Sequence, residues 1–328
     1  MAAPKKNPKR TASKKTRRPV RPGTKAPRSE KVQAAFVKTA LNRTVLVVLA
    51  AIVTGLLIVG GIFLWFTRVY ADPENVFWGM IDNNLASMSV TKEASQKDQG
   101  GSSVEYTQLS WNPEPKVRTV RQLSYAEANG PVKLVLEGIL TPTDEYQHYA
   151  RIERPGDGGK DYSKIYSLWL KNGGTGAKGG AAGFNNNVYS AVLFGNFERP
   201  DRTKITAELR KAYKVDMTRV DKKVDNGRRV YIYQASLNLQ KYASAARLYA
   251  QKMGLPNAAF INPNNYKSTD LVPLKLTVDV LSRQIRTIEY QDSRTETYTG
   301  YGIPAQISLP QKTATSAELQ KAIEAATK

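Results

Sequence analysis

The 328-residue chain carries 49 Lys and Arg against 28 Asp and Glu, one histidine and no cysteine. The missing cysteine excludes disulfides, thiol nucleophiles, thiolate metal sites and a lipid anchor through an N-terminal Cys. With His148 alone, a multi-histidine zinc site is excluded, and a serine–histidine triad has a single candidate base.

The charge is uneven. Residues 1–43 hold fourteen Lys and Arg, among them Lys5, Lys6, Arg17, Arg18 and Arg43, and Glu30 is their one acid. Five prolines and almost no apolar side chains give this tail nothing to bury, so it reads as disordered and cytoplasmic. Its cations suit anionic lipid headgroups, with Lys5, Lys6, Arg17, Arg18 and Arg43 as candidate contacts. Aromatics are absent before Phe36, which makes a nucleic-acid arm unlike this tail.

Residues 44–67, TVLVVLAAIVTGLLIVGGIFLWFT, contain no charge. At ~1.5 Å per residue such a helix covers about 35 Å, enough for a hydrocarbon core of roughly 30 Å. Trp65 and Phe66 stand where an interfacial aromatic belt falls, and the excess of cations before the run puts the N-terminus inside and residues 68–328 outside. The expectation is a single-pass cell-membrane protein. Val69-Tyr70-Ala71 resembles a signal-peptide cleavage site, but the apolar run and the tail are both longer than a signal peptide uses.

Beyond the run, Asp72-Pro73-Glu74 opens a helix whose apolar stripe is Val76, Phe77, Met80, Ile81, Leu85 and Met88. Residues 90–153 alternate with period two, as half-buried antiparallel strands do; Val132, Leu134 and Leu136 form one row, and His148 lies on another. Residues 155–187 are punctuated by glycine and read as surface loops around a short helix over 162–171. They lack a phosphate-loop motif, and Asp157 and Asp161 lack the spacing of a calcium loop. Helices are expected over 188–197 and 203–213. Asn226-Gly227 marks a type I′ hairpin between strands 215–224 and 229–238. Asn238 caps a helix ending at Gly254. Leu274, Leu276, Val278 and Val280 alternate with polar residues, and a turn at Ser282-Arg283 leads to IRTIEYQ, ETYTGYG and a strand in IPAQISLP. Residues 311–328 form a polar tail in which Ser316 and Glu318 start a short helix.

The stretches LKLTVDVLSRQIRTIEYQ (274–291) and TYTGYGIPAQISLP (297–310) resemble the closing strands of the lipoprotein-carrier superfamily, the LolA-like and LppX/LprG-like half-barrels. The resemblance implies an α+β fold: a curved antiparallel sheet covered by helices, spanning residues 68–310, around an apolar cavity for acyl chains. Those carriers are soluble or lipid-anchored through cysteine, whereas this chain offers an apolar helix, and its insertion at 155–270 is large. On this reading the chain binds a lipid or other apolar ligand and uses no cofactor. Val132, Leu134, Leu136, Leu276, Val278 and Val280 are the ligand-lining candidates, with a filled core as the plain alternative for the same side chains. No catalytic or metal-binding set stands out. An envelope scaffold using its tyrosine-rich surface is the second reading, and a carboxylate-based enzyme is the third.

Overall fold

A computed structural model describes residues 29–97, 100–156, 158, 160–173 and 182–327. Two units divide between Phe63 and Leu64. The first contains most of α1 (Ser29–Trp65). The helix begins at Ser29, so residues 29–43, expected to be disordered, have helical backbone. The segment EKVQAA (30–35) holds good helix formers and no Pro or Gly, and an apolar helix already nucleated downstream propagates through it. Val45–Tyr70 is long and apolar enough to cross a membrane, and its side chains are unburied.

The second unit opens with a π-helical turn, Phe66–Tyr70. Asp72 then caps α2 (Pro73–Leu85): its Oδ1 accepts from the backbone N–H of Glu74 at 3.0 Å and of Asn75 at 3.2 Å. Val76, Phe77, Met80, Ile81 and Leu85 are buried, while Met88 lies beyond the helix and is exposed.

The strands are β1 (Ser89–Lys97), β2 (Gly101–Ser110), β3 (Lys116–Glu127), β4 (Gly130–Leu140), β5 (Asp144–Glu153), β6 (Leu170–Gly173), β7 (Tyr213–Val215), β8 (Asp221–Asp225), β9 (Arg228–Asn238), β10 (Leu271–Asp279), β11 (Ile285–Tyr290) and β12 (Thr295–Thr299). They form one open antiparallel sheet in the order β6-β5-β4-β3-β2-β1-β12-β11-β10-β9-β7, with β8 also on β9. The central pairing of β1 with β12, five residue pairs from Thr91↔Thr299 to Ser95↔Thr295, joins the N-terminal and C-terminal halves. Helices α3 (Ser163–Tyr166), α4 (Ala182–Val188), α5 (Arg199–Ala212), α6 (Leu239–Met253) and α7 (Ser316–Thr327) complete the described elements of regular helix. One large core joins α2, α4, α5 and α6 to the face of the sheet that carries Leu274, Leu276 and Val278. That face is the inner face below.

Local sequence explains much of this. Asn226 and Gly227 take φ of 48° and 74°, the left-handed pair a type I′ turn needs, and join β8 to β9. Asn238 Oδ1 caps α6 through the N–H of Lys241 at 3.0 Å, and Gly254 ends it at φ 70°. The strand expected over 215–224 is split into β7 and β8, because Asp216 Oδ1 accepts from Thr218 N at 3.0 Å and turns the chain.

Three expectations fail for tertiary reasons. The helix expected over 162–171 stops at Tyr166, because Leu170–Gly173 pairs with the edge of β5 as β6. Residues 303–310 are not a strand. They run as a strap toward β6: Ile307 packs on Ile139, Tyr146 and Trp169, and Ala314 N–H donates to Trp169 O at 2.7 Å. Residues 189–197 are not helical but an irregular, buried segment. Its backbone groups are satisfied elsewhere. Tyr213 and Tyr242 hydroxyls donate to the carbonyls of Ala191 and Ser190, and Tyr249 donates to Phe194 O at 2.6 Å. The N–H of Gly195 and of Phe197 reach the carbonyls of Asn84 and Leu85 at the end of α2.

Candidate functional site

The inner face is apolar in one half and ionic in the middle. Register places Leu276, Ile288, Glu296, Ala94, Glu105, Arg121 and Leu136 in one row across β10, β11, β12, β1, β2, β3 and β4. The two apolar triplets read from the sequence therefore lie on one sheet but are not brought together. At ~4.8 Å per strand step, Leu276 and Leu136 stand about 29 Å apart along the sheet, with three charged residues between them. Leu276, Val278 and Val280 are fully buried among core aromatics. Val132 is buried, and Leu134 and Leu136 are half-buried. The pocket of about 470 Å³ that touches Leu134 opens on the opposite face, among Val104, Gln122, Val135 and Arg151.

The centre of that row is a buried ionic cluster. Lys92 Nζ lies 3.7 Å from Glu296 Oε1, and both side chains are almost inaccessible. Tyr290 and Tyr298 donate to Glu296 Oε2 at 3.0 and 2.5 Å, and Arg294 donates to Oε1 at 2.5 Å. Burial works to raise the Glu296 carboxyl, but Lys92, Arg294 and the two phenols outweigh it and hold the carboxyl below its usual range. Burial pushes the Lys92 ammonium down, with Glu296 opposing. Next to the cluster, Thr107 donates to Asn187 Oδ1 at 3.1 Å, and a polar cleft of about 440 Å³ opens between Glu105, Arg121, Asn186 and Arg294.

The larger concavity, about 940 Å³, is on the outer face. Its floor is a threonine row, Thr277, Thr287 and Thr297, paired across β10, β11 and β12, with Ile232 beside it. Lys223, Val224 and Arg228 of the β8–β9 hairpin form one wall, Gly300 to Ile303 the other, and Arg286 and Ser282 sit between. Arg286 is held by Asp225 at 2.9 Å and Arg228 lies 3.7 Å from Asp279. Asp279 Oδ1 fixes the β10–β11 turn by accepting from the N–H of Leu281 and Ser282 at 3.0 and 2.9 Å. The same turn holds the end of the apolar helix: Tyr70 Oη donates to Leu281 O at 2.6 Å, Arg283 donates to Tyr70 O at 3.1 Å, and its guanidinium lies 4.2 Å over the Tyr70 ring.

Alternation in LTVD, RTIE and TETYT marks each threonine as facing away from the apolar row, so the groove floor had a sequence signal. Its walls had none, since they depend on β8 curling past β10 and on the chain after β12. Among the other candidates, Lys5, Lys6, Arg17 and Arg18 lie outside the described residues, as does Asp157, while Arg43 is in α1. Asp161 Oδ1 accepts from Ser163 N at 2.9 Å at the start of α3. His148 sits on the outer face, its Nδ1 3.1 Å from Tyr166 O and Nε2 3.3 Å from Glu137, with the Trp169 ring at 4.1 Å. Of the seventeen tyrosines read as an interaction surface, seven are internal: Tyr146, Tyr213, Tyr231, Tyr233, Tyr242, Tyr249 and Tyr298 are buried.

No family model matches the chain, and no curated protein matches it. Among solved structures it is similar to LprF from Mycobacterium bovis, with 10% identity and a TM-score of 0.38, over 73% of this chain and 96% of that one.

Proposed function

We propose that this chain is a single-pass, membrane-anchored binding protein whose extracytoplasmic domain holds an amphiphilic, anionic ligand in the outer groove of β9–β12. Val45–Tyr70 is the span, and the basic tail, including Lys5, Lys6, Arg17, Arg18 and Arg43, lies against anionic headgroups on the inner side. The observation that carries the reading is the groove itself. It combines a volume of about 940 Å³, threonine hydroxyls on the floor, Arg228 and Arg286 with Asp279 and Asp225 against them, Lys223 as the cation without an ion pair among the described residues, and apolar Val224 and Ile303. Cations and hydroxyls suit a carboxylate or phosphate, the apolar rim suits a chain, and the volume falls in the range of small-molecule sites. The groove also ends at the turn that binds Tyr70, next to where the span leaves the bilayer.

An acyl cradle on the inner face, lined by Val132, Leu134, Leu136, Leu276, Val278 and Val280, is less favoured. Glu296, Glu105 and Arg121 interrupt the row joining the two triplets, and a chain crossing them would desolvate charge. Native mass spectrometry of the full chain, released from detergent, tests the choice. The outer-groove reading expects a small-molecule adduct that Thr287→Trp abolishes and Leu136→Trp leaves intact. The opposite pattern, or no adduct above that of lipids on the span, overturns it.

A further inference from the structure

We infer that one end of the domain, built from the β8–β9 hairpin, the β10–β11 turn and Gly300–Ile303, rests on the anionic headgroup layer of the bilayer. The inference rests on Val45–Tyr70 being the span. Three observations carry it. First, there is no linker: Tyr70, the last residue of the apolar segment, is itself hydrogen-bonded to Leu281 and Arg283. Second, this end exposes apolar side chains at its tips: Val224 is 74% accessible, Leu281 and Ile303 62% each, and Val69 49%. Third, cations flank those tips. Lys222, Lys223, Arg229 and Arg68 carry no ion pair among the described residues, and Lys222 and Arg229 both stand 5.5 Å from the ring of Tyr231, whose hydroxyl donates to Ala71 O at 2.7 Å.

Single apolar side chains set among unpaired cations fit an interface of headgroups and acyl boundary better than a flat protein partner. The side chains bury in the boundary while the cations meet phosphates. The opposite end of the same strand gives the internal contrast. Leu271, which pairs with Asn238 beside α6, is also exposed, but it lies ten residues along the strand from Leu281, about 33 Å away at ~3.3 Å per residue.

A chain without cysteine accepts single labels without background. Full-length Leu56→Cys, Val224→Cys, Leu271→Cys and Leu281→Cys would be spin-labelled in nanodiscs of phosphatidylcholine containing phosphatidylglycerol. Collision with a water-soluble nickel complex and with oxygen reports immersion. The expected result is that labels at 224 and 281 are several-fold more shielded from nickel than the label at 271. Adding Lys222→Glu and Lys223→Glu, or raising salt, should return the label at 224 to the level at 271. If the label at 56 is immersed while those at 224 and 281 match 271, the docking is wrong and the span stands. If the label at 56 is itself open to nickel, the span fails and the docking with it.

Discussion

Leu276 and Leu136 occupy the same row on the same face of one sheet, yet Leu276 is inaccessible and Leu136 half-buried. The difference lies in what covers them. Over β9–β12, the side chains of α2, α5, α6 and the irregular segment 189–197 close the face, and Phe77, Tyr213 and Tyr233 pack edge to face at 5.3–5.6 Å. Over β2–β4 the described cover is thin, and the face carries Glu105 and Arg121 instead. Alternation tells which residues share a face; it does not tell whether anything packs on that face. The boundary between the two regimes is the Lys92–Glu296 cluster, charged groups buried because cover arrives from one side and ion pairing compensates from the other.

The largest test of this contrast is at the boundary. Glu296→Gln leaves Lys92 buried without its counter-charge and should lower stability by about 3–5 kcal/mol in urea unfolding. It should also change the pH response. The folded Glu296 carboxyl lies below its ordinary 4.5, so its contribution is complete above that value and is lost as pH falls through the lower, folded one. The wild-type chain should therefore lose stability on acidification below about 4.5, more steeply than Glu296→Gln. Equal slopes would show the pair to be solvated.

Next in size is the pair of leucines. Leu276→Ala should cost about 2–5 kcal/mol as a core cavity, and Leu136→Ala no more than about 1 kcal/mol. Similar losses would mean that the β2–β4 face is as closely packed as the other half. A smaller effect is expected for Tyr249→Phe, which orphans the Phe194 carbonyl: about 1–3 kcal/mol, with segment 189–197 gaining hydrogen exchange. The smallest is Asp72→Ala, about 1 kcal/mol through the lost cap of α2. Because that cap lies where the apolar helix meets the domain, exchange should rise first in residues 72–76.

Local rules in the chain determined a good part of the protein. Charge asymmetry and an uncharged run set out the apolar helix, Asp72 and Asn238 placed two helix starts, Asn226-Gly227 placed a hairpin, and period two placed the strands. Each of these is an interaction between residues a few positions apart, so it survives in the sequence alone. The tertiary structure alone decided that YSAVLFGNF (189–197) stays irregular, because its carbonyls accept from tyrosine hydroxyls brought by α6 and β7, and its own Gly195 and Phe197 N–H groups donate to carbonyls at the end of α2. It also decided that IPAQISLP straps the outer face rather than pairing, since Ile307 finds Ile139 and Tyr146 there. The groove walls and the buried Lys92–Glu296 pair have the same origin: residues far apart in the chain, more than two hundred positions for that pair, meet only once strand register is set, and register depends on which surface each strand buries.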